Sequence, residues 1–204
     1  MSRHLLIVTG YPGSGKSYTV SVILSRFPHL KSMPYDDLKE EWFDREGFDS
    51  EEEKRILRER CLQAYFEQLD QQMRQGEDWL IEYPFCRKHV PALNKVISDN
   101  HYTPITVVLD GDPKVLWQRF TERNARNDRH PGHLCSVYHK DGLQVRSPLL
   151  TLEEYTVDCA QKDYYINLGA TMTLDMTDLS KVNYDGLLSF LQAQLMDKGE
   201  TVCR

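Results

Sequence analysis

Short apolar runs and longer stretches of helical periodicity alternate along this chain of 204 residues. Residues 4–8 read His-Leu-Leu-Ile-Val, a continuous apolar run as a strand buried on both faces requires. Runs at 29–33, 78–83, 103–110 and 170–175 predict four further strands. The gaps carry helical patterns. Residues 17–24 repeat apolar positions at helical spacing, and 50–75 place Ile56, Leu57, Cys61, Leu62, Tyr65, Phe66 and Leu69 three or four apart. Ser50 with Glu53 and Thr151 with Glu154 are capping boxes, opening helices to about 75 and toward 167. Gly76 is a stop for the first of these. Asp112 before Pro113 opens a helix to about 124, and 184–196 closes the chain as a helix. Strands alternating with helices predict an α/β fold, a parallel sheet covered on both faces. In such sheets ligands bind at the carboxyl ends of the strands.

The link between the first strand and the first helix is Gly10-Tyr11-Pro12-Gly13-Ser14-Gly15-Lys16-Ser17, a complete G-x-x-x-x-G-K-S loop in the strand–loop–helix context that such a phosphate cradle needs. Glycines let backbone N–H groups approach phosphate oxygens, and the helix N-terminus adds partial positive charge. Lys16 reaches toward β- and γ-phosphates, the Ser17 hydroxyl is a Mg²⁺ ligand, and Thr19 follows in the first helical turn as a further nucleotide-side candidate. These residues predict binding of ATP, or another nucleoside triphosphate, with Mg²⁺.

Three more segments fall where the strand ends converge. Asp36 and Asp37, in Tyr35-Asp36-Asp37-Leu38-Lys39, follow the second strand. A carboxylate there orients an acceptor hydroxyl and takes its proton, or else caps the next helix; Asp36 is the first choice, and Lys39 joins it as a substrate-side residue. Glu82 ends the third strand as a candidate Mg²⁺ carboxylate, and Arg87 opens the next helix as a substrate or phosphate ligand. Arg119, Arg123 and Arg126 share one helical face that leads into Pro131-Gly132 and a polar stretch to Ser147. That stretch has few apolar anchors by composition, so 124–147 is expected to act as a lid, with Arg123 and Arg126 on the triphosphate and Arg126 in the catalytic role. His130, His133, Cys135 and His139 cluster nearby at spacings that match no standard zinc pattern.

Composition limits the remaining choices. There are 31 acidic against 25 basic residues, a net charge of −6, which weighs against tracking a nucleic-acid backbone. Five cysteines, at 61, 86, 135, 159 and 203, form no C-x-x-C pair and read as reduced thiols of a cytoplasmic protein. No apolar run is long enough to span a membrane, and no leader segment fits ahead of the phosphate loop. One domain over 1–204 accommodates every element.

Taken together, residues 10–17, 36–39 and 119–129 resemble the small P-loop kinases, in particular the group of the phage polynucleotide 5′-kinase domain, zeta toxins and chloramphenicol phosphotransferases. Glu82-Tyr83-Pro84-Phe85-Cys86-Arg87 echoes the Asp-Gly-Phe-Pro-Arg of adenylate kinases with one residue inserted. The resemblance implies a three-layer P-loop fold with strand order 2-3-1-4-5 and an arginine-bearing lid. It also implies ATP-dependent phosphoryl transfer to a hydroxyl of a small-molecule acceptor. A nucleic-acid 5′-hydroxyl, a sugar nucleotide, or a nucleotide-binding regulatory role without transfer stand as alternatives.

Overall fold

The computed structural model describes residues 3–126 and 128–196; Cys203 lies outside the described residues. Five parallel strands form the central sheet in the order β2-β3-β1-β4-β7. They are β1 (Arg3–Gly10), β2 (Lys31–Pro34), β3 (Trp79–Glu82), β4 (Tyr102–Asp110) and β7 (Ala170–Asp175). Counted within this sheet alone, the strands follow the order 2-3-1-4-5. A separate two-stranded antiparallel sheet, β5 (Cys135–Tyr138) with β6 (Gln144–Arg146), intervenes in the chain before the last strand.

Among the described residues, seven α-helices accompany the strands. They are α1 (Lys16–Arg26), α2 (Tyr35–Glu46), α3 (Glu51–Met73), α4 (Val90–Asn100), α5 (Pro113–Ala125), α6 (Leu152–Lys162) and α7 (Tyr184–Leu195). The expected caps are formed. Ser50 accepts from the Glu53 N–H, Thr151 and Glu154 make a reciprocal box, and Asp112 accepts from the N–H groups of Lys114 and Val115. Helix α6 stops at Lys162, short of 167, because Asp163 turns left-handed at φ 51°.

β1 shows why a continuous apolar run was needed. Leu5 and Ile7 face one side with Cys61, Tyr65, Leu69 and Leu93 of α3 and α4, while Leu6 and Val8 face the other with Ile23, Leu116, Tyr155 and Leu187. All four β1 residues are fully buried, each contributing on the order of 1.5–3 kcal/mol of burial.

The register sets the site. Val8 pairs with Glu82, Pro34 with Glu82, and Gly10 with Leu109, so the phosphate loop, Glu82 and the start of α2 emerge on the same edge. Gly10 and Gly13 have φ of 140° and 86°, and a Cβ there would lie 2.1 Å from the Leu109 carbonyl oxygen and 2.3 Å from that of Leu116. Only glycine fits at either position.

The lid segment departs from expectation. Cys135 and Tyr138 are buried with Phe43, Phe48 and Leu57, and Phe48 and Tyr138 exchange backbone hydrogen bonds of 2.9 and 2.8 Å. The Lys54 ammonium donates to the Cys135 carbonyl at 2.6 Å. A strand of four residues with two inward side chains is too short to stand out in a polar stretch, and its apolar partners lie far back in the chain, on α2, α3 and the loop between them.

Candidate functional site

The phosphate loop is built to receive an anion. Gly15 stands at the N-cap of α1 in a left-handed conformation and no side chain caps that end, so the first helical N–H groups point outward undischarged. The Lys16 ammonium folds over the loop and donates to the carbonyls of Gly10 (3.0 Å) and Tyr11 (2.9 Å). Burial, with Arg123 adding to it and Glu82 opposing, lowers its pKa to about 8. Pro12 is fixed through its carbonyl by the Tyr155 hydroxyl at 2.8 Å, and the Tyr11 ring packs edge-on against Tyr164. Ser14 is buried in the loop. Thr19 is also fully buried and shares a 3.2 Å hydrogen bond with the Tyr184 hydroxyl. It braces α1 against α7 and lies out of a ligand's reach.

The Ser17 hydroxyl donates to Glu82 Oε1 at 2.9 Å, across 65 residues of sequence. Burial pushes the Glu82 carboxyl up, while the Ser17 bond and the Lys16 charge pull it down. A hydroxyl and a carboxylate held together at the phosphate loop are hard oxygen donors suited to Mg²⁺.

Asp36 is in the first turn of α2, whose N-cap is Pro34 without a side-chain cap bond. Neither aspartate caps this helix. The Asp36 carboxylate is held by the Lys39 ammonium one turn on, and Arg129 lies 3.8 Å from its other oxygen. Burial favours its protonated form, but Lys39, His133 and Arg129 outweigh this and hold it at about 2. It is half exposed, so one face stays open to a bound molecule. Asp37 is exposed and makes no hydrogen bond or ion pair among the described residues. Lys39 itself is buried, over the rings of Tyr35 (5.0 Å) and Tyr83 (5.9 Å), so it positions Asp36 and is closed to an acceptor.

The arginine row separates three ways. Arg119 donates to the Met176 and Thr177 carbonyls and fastens the end of β7. Arg123 lies over the Phe120 ring at 5.8 Å, within the field of Asp36 and Glu82. Arg126 is the C-cap of α5 in extended conformation, exposed, its side chain without hydrogen bond or ion pair among the described residues. Helical spacing places 126 with 119 and 123 only while the helix lasts, and α5 ends at Ala125. The cation that reaches Asp36 is Arg129, half-buried and hydrogen-bonded to Asn124 at 3.2 Å. Burial, then Arg123, lower its pKa to about 10. The sequence placed Arg129 in the motif without marking it, because a residue beyond a helix end has no spacing to read.

Arg87 begins the short 3₁₀ turn 87–89 ahead of α4, exposed, with its N–H on the Asp163 carbonyl. It does not join the cluster. The histidines of the lid each meet an acid: His130 to Asp44 (2.9 Å), His133 to Glu40 (2.8 Å) and His139 to Asp49 (2.8 Å). No group of three metal-ligating residues exists among the described residues, which fits their reading as braces between the lid segment and the region of α2.

Lys16, Ser17, Glu82, Asp36, Arg123 and Arg129 thus form one cluster of interacting polar and charged groups at the carboxyl ends of β1, β2 and β3. Known structures share this fold. A candidate kinase from Chloroflexus aurantiacus superposes with a TM-score of 0.77 at 20% identity, covering 96% of this chain and all of that one. A gluconokinase from Sinorhizobium meliloti gives 0.58 at 12% identity, covering 93% of both chains. The APS kinase of Mycobacterium tuberculosis gives 0.56 at 14% identity, covering 94% and 98%. No curated protein sequence matches significantly. The AAA domain profile matches residues 6–136, more than half of the chain and every element from β1 into β5. The chain belongs to this AAA domain family, and its fold is that of the small P-loop kinases.

Proposed function

We propose that this protein is an ATP-dependent kinase that transfers the γ-phosphoryl group to a hydroxyl of a small-molecule acceptor. The observation that carries the reading is the convergence of a phosphate loop with its lysine, a Ser17–Glu82 oxygen pair, and a carboxylate held by Lys39 and Arg129 with Arg123 within its field. Nucleotide binding alone needs only the first of these.

Each residue then has a distinct task. The loop N–H groups and Lys16 hold the β- and γ-phosphates. Ser17 and Glu82 would hold Mg²⁺, which when bound neutralises phosphate charge. Asp36, kept ionised by Lys39, accepts a hydrogen bond from the acceptor hydroxyl and orients its oxygen toward phosphorus. A carboxylate at about pKa 2 is a weak base. It suits a loose transition state, in which the hydroxyl proton leaves late. Arg123 and Arg129 stabilise charge developing on the transferring group. No helix among the described residues is long and apolar enough to cross a membrane, and the four described cysteines are free thiols, both in keeping with a cytoplasmic enzyme.

A screen of ATP consumption over alcohols, sugars, nucleosides and oligonucleotide 5′-hydroxyls tests the reading; turnover accelerated by one acceptor class is expected. With that acceptor, Arg123→Ala and Arg129→Ala should each lower kcat about 10²- to 10³-fold, the scale for losing one preorganised charge donor, and Arg126→Ala should stay within a few-fold of wild type. A loss at Arg126 equal to the other two would return the role to the position that helical spacing favours. ATP affinity should also be steady below about pH 8 and fall above it. In the free enzyme Lys16 loses its proton as pH rises through about 8, and bound phosphates raise that pKa, so binding must take up a proton there. Titrations from pH 7 to 9.5 should show this fall in wild type and none in Lys16→Ala.

A further inference from the structure

Helix α2 carries three carboxylates four residues apart, Asp36, Glu40 and Asp44, along one face. Each meets the segment that follows α5. Asp36 has the Arg129 guanidinium at 3.8 Å, and Glu40 accepts from His133 Nε2 at 2.8 Å. Asp44 takes three partners: His130 Nε2 at 2.9 Å, the Tyr138 hydroxyl at 2.6 Å and the Lys140 ammonium at 2.7 Å. His130 Nδ1 accepts from the Gly132 N–H at 3.1 Å, so its proton lies on Nε2, facing Asp44. The row continues past α2, where Asp49 holds His139 at 2.8 Å and Glu51 accepts from the Ser147 hydroxyl at 2.6 Å.

Apolar packing closes the same seam. Phe43 is buried on α2, its ring 5.8 Å from that of His133 and 6.4 Å from that of His130. Gly132 lies between the two histidines in a 3₁₀ turn, outside the left-handed region, and a Cβ there would stand 2.4 Å from Phe43 Cδ2. The segment rests on α2 without room for one methyl group. Arg129 enters this docked segment directly ahead of His130, and its guanidinium reaches Asp36 on the same helix. None of these contacts involves the phosphate loop, so the seam does not depend on a bound nucleotide. A segment fastened this way moves with α2 rather than across it.

We propose that Glu40 and Gly132 are positioning residues: by docking segment 129–147 on α2, they set Arg129 against Asp36 ahead of nucleotide binding. This rests on the kinase reading and deepens it.

Two measurements on the full-length protein test it. Residue-resolved hydrogen exchange follows the Phe48 and Tyr138 amides, which bond to each other's carbonyls across the seam at 2.9 and 2.8 Å. Without nucleotide they should exchange at least about 10²-fold more slowly than an unstructured chain, and a saturating non-hydrolysable ATP analogue should change them by less than about 10-fold. Free exchange that only the analogue suppresses means a segment that docks on nucleotide, and overturns the inference. The second measurement is kinetic, with the acceptor found in the screen. Gly132→Ala changes no charge, yet should lower kcat about 10²-fold, the scale for a misplaced group, with ATP affinity and acceptor KM within a few-fold of wild type. Added to Arg129→Ala it should cost less than about 3-fold more, since both act through one guanidinium. Glu40→Ala should lower kcat in the same way, and Glu40→Gln, which keeps an acceptor for His133, should recover most of the loss. Full additivity of Gly132→Ala with Arg129→Ala, a loss expressed in KM alone, or wild-type kcat in both Gly132→Ala and Glu40→Ala overturns the positioning role and leaves the kinase reading standing. If no acceptor is phosphorylated, the kinase reading has failed and exchange decides. Protection that falls at least about 10-fold in Gly132→Ala and Glu40→Ala but not in Glu40→Gln upholds the docking, and protection indifferent to all three overturns it.

Discussion

Lys16→Ala is expected to lower phosphoryl transfer at least about 10²-fold while the protein remains folded. Among the described residues, the hydrogen bonds of the Lys16 side chain go to two carbonyls of its own loop. The loop geometry comes from Gly10, Gly13 and Gly15 and from the Tyr155 bond to Pro12, none of which needs the ammonium. Its removal deletes a point charge from the β- and γ-phosphates at the moment their charge is redistributed. In a partly desolvated site that loss should cost about 3–4 kcal/mol of transition-state stabilisation, roughly 10²- to 10³-fold in kcat or more. The thermal midpoint should move little, since no buried partner is orphaned. A mutant with unchanged turnover and unchanged ATP affinity would remove Lys16 from the chemistry.

Asp36→Asn is expected to lower kcat by a comparable factor while leaving ATP affinity nearly intact. Asparagine keeps the shape but cannot accept the hydroxyl proton, and it loses the ionic hold of Lys39 and Arg129. General-base and orienting groups contribute about 10²- to 10⁴-fold. The defect should lie in kcat and kcat/KM together, the signature of an interaction made in the transition state. Because Lys39 and Arg129 hold the carboxyl at about 2, Asp36 stays ionised above about pH 4. The wild-type rate should then show no acid limb from this residue in the neutral range. Asp37→Asn is the control: its exposed carboxylate touches none of the site residues and the change should be nearly silent. The reverse pattern, a large loss at Asp37 and none at Asp36, would move the acceptor base by one residue.

Much of the architecture was legible because local and global signals agreed. The apolar run at 4–8 sits inside β1, the run at 170–175 is β7, and the boxes at Ser50 and Thr151 mark the helix starts. The phosphate loop is contiguous, so its chemistry could be read directly. What stayed hidden depends on long-range packing. The anchoring of Cys135 and Tyr138 needs Phe43, Phe48 and Leu57, and no local composition shows it. The burial of Lys39 under Tyr35 and Tyr83 turned an expected substrate ligand into a support for Asp36. Thr19 carries a polar side chain that points to the core, where the Tyr184 hydroxyl satisfies it. The arginines are the clearest case. Spacing grouped Arg119, Arg123 and Arg126, yet the end of α5 at Ala125 sends Arg126 into solvent and returns Arg129 to the cleft.

On this reading the cluster around Lys16 moves the γ-phosphoryl group from ATP to a hydroxyl held at Asp36. The most direct measurement follows γ-labelled ATP with wild type and Asp36→Asn over the acceptor panel and separates phosphoester from free phosphate. The account predicts label in an acceptor phosphoester, formed one for one with ADP and lost in Asp36→Asn. Label appearing only as inorganic phosphate, at a rate that no acceptor changes and that Asp36→Asn leaves intact, would contradict it.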